Sequence, residues 1–105
     1  MRRAARWDGV VPLFERARHG EVPSADDVRD LVGYVGRQRG PDAVGPFEVV
    51  LGGVTPPDPA RARDVLGPLL DAGCTWWDER QLQWSEDLYR LSAVRRRVEA
   101  GPPAF

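Results

Sequence analysis

The sequence predicts an α/β protein made of three β-α units with parallel strands. Three observations carry that expectation. Short runs of strand character, centred near residues 11, 49 and 76, alternate with longer runs of helical periodicity. Each connection between strands is long enough to hold a full helix, as parallel pairing needs, so right-handed crossovers are expected. Ser, Asp, Gly and Pro stand where helices should start and stop. The 105 residues accommodate one domain, 1–105, with one modest core.

The elements follow in order. Residues 1–7 read as a short helical end. Asp8 to Phe14 reads as a short buried strand with Pro12 near its exit, and Glu15 to Pro23 as a polar loop. Ser24 is the N-cap of a first helix, with Asp27 at the third helical position. Asp26 and Asp27 complement the positive end of the dipole, Arg37 and Arg39 the negative end. Val28, Leu31, Val32 and Val35 recur at helical spacing and form one apolar stripe, and Gly40-Pro41 stops the helix. Phe47 to Leu51 is nearly continuous apolar, as strands covered on both faces are, and Gly52-Gly53 ends it. Asp58 caps a second helix with Pro59 at its first position. Ala62, Val65, Leu66, Leu69 and Leu70 are its buried stripe, Pro68 bends or weakens its middle, and Gly73 closes it. Cys74 to Asp78 is a third strand, rich in aromatic residues, and Glu79 to Trp84 a loop. Ser85 caps a last helix whose stripe is Leu88, Leu91, Val94 and Val98, and Gly101-Pro102-Pro103 ends it.

Composition excludes several classes. No apolar run is long enough to span a membrane, and no apolar segment follows Arg2, Arg3 and Arg6 to make a signal peptide. A single cysteine, Cys74, allows neither an internal disulfide nor a multi-cysteine zinc site. Net charge of −1 argues against a nucleic-acid partner. These absences point to the cytoplasm. All fifteen basic residues are Arg, and Lys, Asn and Ile are absent. Those three have AT-rich codons, so a GC-rich coding sequence explains the arginines without phosphate recognition.

Four strings carry a resemblance. They are Arg3-Ala4-Ala5-Arg6-Trp7-Asp8-Gly9-Val10, Phe47 to Pro56 (FEVVLGGVTP), Ala72 to Glu79 (AGCTWWDE) and Val94 to Pro103 (VRRRVEAGPP). In order and spacing the chain resembles the C-terminal portion of luciferase-like, flavin-dependent oxidoreductases, a monooxygenase family. The resemblance implies three parallel β-α units equivalent to the last three of a (β/α)8 TIM barrel, not closed on their own. It implies reduced FMN or a deazaflavin as cofactor. The family's N-terminal strands carry much of the flavin and substrate pocket. Its Gly- and Ser-rich phosphate loop lies just upstream of the first string. Neither has a counterpart in this sequence, so no catalytic residue is carried over. The reading from another class is a small non-catalytic α/β module for dimerisation or partner binding.

Barrel chemistry sits at the C-terminal ends of strands. The candidates for cofactor binding are therefore Gly52, Gly53 and Thr55, on a loop leading to a helix N-terminus, and Trp77. A plain structural turn is the competing reading of the glycines, because an Asp58 cap would occupy the same helix end and repel a phosphate. Trp76 and Trp77 point to opposite faces of their strand, one under the helices and one toward the barrel interior. Core packing is expected for both, against stacking on a flavin. Asp78 and Glu79 also face opposite ways, so they are no acid/base pair and read as a solvated strand end. His19 is expected to be exposed, with no metal ligands around it, and Cys74 to pack as a small apolar residue. Arg95, Arg96 and Arg97 read as the solvated end of the last helix. Three strands leave one face and two edges open, so the expected partners are a second copy, as a dimer, or a barrel-completing chain.

Overall fold

The computed structural model describes residues 1–18, 21–80 and 90–102. Strands β1 (Gly9–Val10), β2 (Glu48–Gly53) and β3 (Trp76–Glu79) form one sheet in the order β1-β2-β3, with both pairs parallel. Helix α1 (Ala25–Arg39) links β1 to β2, α2 (Pro59–Asp71) links β2 to β3, and α3 (Leu91–Ala100) follows. The fold is the expected open, unclosed α/β arrangement.

Capping fixes the two crossover helices. Ser24 Oγ accepts from the Asp27 amide at 3.1 Å, and an Asp58 carboxylate oxygen accepts from the Arg61 amide at 3.0 Å. Each satisfies one of the amides left unpaired in a first turn. Pro68 does not interrupt α2, which continues to Asp71.

Alternation along β2 decides where the core lies. Val49, Leu51 and Gly53 are buried, while Glu48, Val50 and Gly52 are not. Val49 and Leu51 meet Val28 of α1, Leu66 and Leu69 of α2, and Cys74 in one cluster. Both helices therefore cover the same face. Sequential strand order with both crossovers on one side winds the sheet in a single direction, as in an arc of a barrel. The register pairs Val50 with Trp76 and Gly52 with Asp78. These four side-chain positions share the face that neither α1 nor α2 covers. Thr75 seats β3 on β2: its hydroxyl accepts from the Val49 amide at 2.8 Å, and its own amide donates to the Val49 carbonyl at 2.9 Å.

Four expectations need correction. The first strand is two residues, not Asp8 to Phe14, and Leu13 is 86% exposed rather than buried. Pro12 has no N–H to continue the ladder. Gly9 lies so close to β2 that an added Cβ would fall 2.6 Å from the Glu48 carbonyl oxygen. Gly52 and Gly53 lie inside β2 rather than ending it, and β3 starts at Trp76 rather than Cys74. Finally, α3 buries none of its residues. Leu91 and Val98 are 71% and 74% exposed, so the described part of the last apolar stripe faces solvent. Ser85, Leu88 and Pro103 fall outside the described residues, as does His19.

Candidate functional site

Two sets of side chains gather at the C-terminal ends of the strands, one on each side of the sheet. On the uncovered side is a cleft of about 280 Å³, lined by Pro12, Phe14, Arg18, Gly52 and Arg80 among others. Strand alternation puts Arg80 on the same side as Asp78, two residues earlier. Arg80 Nε donates to an Asp78 carboxylate oxygen at 2.8 Å. The guanidinium lies directly on Gly52, where a Cβ would sit 2.6 Å from Cζ, so only glycine permits this approach. The cleft thus carries the Arg80 cation, paired with Asp78, together with Arg18 and Glu21, beside apolar residues. That arrangement suits a small anionic or polar group.

On the covered side the centre is Glu79. One of its carboxylate oxygens accepts from the Thr55 amide at 2.9 Å. The other accepts from the Thr55 hydroxyl at 2.8 Å and from Trp77 Nε1 at 2.9 Å, with Arg97 Nη2 at 3.2 Å. Arg97 Nη2 also donates to Thr55 Oγ at 3.0 Å. Thr55 is 4% exposed. Burial pushes the Glu79 carboxyl up, but the hydrogen bonds from Arg97, Trp77 and Thr55 outweigh it and hold the group below its ordinary value.

That direction sets a pH dependence. A carboxylate whose folded pKa is depressed adds stability above its unfolded value, about 4.3, and the contribution disappears as pH falls through the folded value. Wild-type protein is expected to lose melting temperature between neutral and acid pH faster than Glu79→Gln. Parallel Tm–pH curves for the two would contradict this.

The structure separates the four candidates. Gly52 lines the cleft. Gly53 is buried on the opposite face, in register with Glu79. Thr55 and Trp77 join the Glu79 network on the covered side. They do not make one cofactor site. Asp58 does cap α2 and occupies the helix end proposed for a phosphate. Trp76 is 63% exposed, so it is not a core residue. Glu79 is not a solvated strand end, and Arg97 is not part of a solvated helix face. Cys74 packs in the core as expected, and burial raises its thiol pKa despite backbone hydrogen bonds that lower it. Sequence reasoning missed Arg80 and Arg97. Alternation after Asp78 is a signal for Arg80, whereas nothing local signals the reach from Arg97 to Thr55.

Among the described residues, no group of three or more His, Cys, Asp or Glu could hold a metal ion. No described helix is long and apolar enough to cross a membrane. No family model, no curated protein and no solved structure matches the chain.

Proposed function

We propose that this chain is a luciferase-like, flavin-dependent oxidoreductase family member represented by its C-terminal three β-α units, and that it is inactive alone. The observation that carries the reading is the single-direction winding. Successive parallel strands lie in sequence order, both crossovers cover one face, and the other face stays open as a barrel interior would. The four resembling strings support it, as does the position of the cleft at the strand C-termini, where such barrels keep their ligands. The cofactor is FMN or a deazaflavin, which supplies the hydride or oxygen chemistry when bound. The cleft fits only part of a flavin: its volume of about 280 Å³ lies at the small end of ligand pockets, roughly 300–1,000 Å³. Arg80 and the backbone at Gly52 would hold an anionic end of the cofactor. The remaining wall would come from a barrel-completing chain or a second copy, and no catalytic step is assigned to residues of this chain. The reading places the protein in the cytoplasm, in keeping with its single buried thiol.

One observation favours the non-catalytic module instead. Glu79 and Thr55, the groups best placed for chemistry, are spent on each other. Titration of the chain with FMN and with a deazaflavin, followed by flavin fluorescence, separates the two. Saturable quenching by either, weakened about tenfold in Arg80→Ala through loss of a charged hydrogen bond, is the expected result. Absence of saturable binding by both flavins would favour the module.

A further inference from the structure

The chain's C-terminal helix is poorly equipped to hold itself in place. Helix α3 has ten residues, fewer than the roughly 12–15 an isolated helix needs in water. No residue of α3 is buried, and Arg90 gives its N-terminus no side-chain cap bond. Arg97 joins α3 to the strand ends through a hydrogen bond to Thr55 and an ion pair with Glu79. Their target is a converging set of donors: the Thr55 amide and hydroxyl and Trp77 Nε1, all directed at one carboxylate. Arg97 Nε is buried without a hydrogen-bond partner. Its other nitrogens donate to the Gly101 carbonyl and the Thr55 hydroxyl, both neutral, so among the described residues the Glu79 carboxylate compensates its charge.

We propose that Thr55, Trp77 and Arg97 form an oxyanion receptor that the chain's own Glu79 fills, and that this contact is the clasp fastening α3 to the strand ends. The receptor takes a small carboxylate. Its donors span two faces of the group: backbone and hydroxyl from the β2–α2 loop, indole from β3, and guanidinium from α3. An anion at this position is therefore the common partner of three separate elements. Removing it leaves Arg97 with the Thr55 hydroxyl, a neutral acceptor that cannot compensate its charge, and leaves Trp77 Nε1 without its acceptor. The inference stands apart from the flavin reading, because the clasp lies on the covered side of the sheet and the cleft on the other.

Hydrogen exchange of the full chain at neutral pH, read at the amides of residues 91–100, tests it. Glu79→Ala and Arg97→Ala should each speed exchange there about tenfold or more, the size expected for losing a hydrogen bond to a charged group. Amides of β2 and α1 should be unchanged in Arg97→Ala, whose side chain lies outside the core. Formate should restore protection in Glu79→Ala, because it refills the vacated receptor, and should not restore it in Arg97→Ala. Chloride should restore neither. Wild-type exchange at 91–100 as fast as in Arg97→Ala, or formate failing to rescue Glu79→Ala, would overturn the proposal. If Glu79→Ala also loses the sheet, Arg97→Ala alone decides: unchanged protection of α3 in that variant refutes the clasp.

Discussion

Leu51→Ala is expected to lower the melting temperature by roughly 10–25 °C, whereas Leu13→Ala should leave it nearly unchanged. Leu51 is 2% exposed and lies at the centre of the cluster that joins both crossover helices to β2. Truncating a buried leucine costs about 2–5 kcal/mol, in transfer free energy and in the cavity left behind. Domains of this size are stable by about 5–15 kcal/mol, and each kcal/mol moves Tm by roughly 4–8 °C. One substitution thus removes a large share of the total. Leu13 belongs to the segment that reads as buried strand in the sequence but is solvent-facing in the structure, and surface truncations stay within about 0.5 kcal/mol. Thermal melts of the pair decide between the two placements. Equal losses would mean that the first strand extends through Leu13 after all.

The second large effect concerns assembly. The uncovered face presents Trp76, Val50 and the Arg80–Asp78 pair, and β1 and β3 are both edge strands. Exposed edges and apolar sheet surface invite pairing. The purified chain is therefore expected to self-associate, with Trp76→Asp shifting the equilibrium toward monomer by placing a charge on the face to be buried. That variant should melt near the wild-type temperature when dilute, because Trp76 touches little of the core. A variant that unfolds instead would put Trp76 in the core.

The sequence made the architecture readable because its signals are local. Ser24 and Asp58 are caps whose partners lie three residues away, and the apolar spacing of α1 and α2 marks a face each helix must bury. Period-two alternation correctly put Trp76 and Trp77 on opposite faces. What it could not supply was which tryptophan lay under the helices, since that depends on the β2–β3 register. The limits of β1 were hidden for a similar reason. Val11 and Leu13 have strand composition, but Pro12 breaks the ladder and no helix covers them. In α3 the spacing of Leu91, Val94 and Val98 was right for a stripe, and periodicity alone does not provide a surface to pack on. The Glu79 network was the least legible. It joins residues 55, 77, 79 and 97, and only the short Trp77–Glu79 step is local.

The central claim is that this chain is an arc of a singly wound sheet and, as we propose, that a second copy covers its open face and edges. Sedimentation velocity over a broad dilution series tests it most directly. The account predicts a sedimentation coefficient that rises with concentration as copies pair, with Trp76→Asp displacing the curve toward monomer. A single monomeric species, stable and unchanged across the whole series, would contradict it.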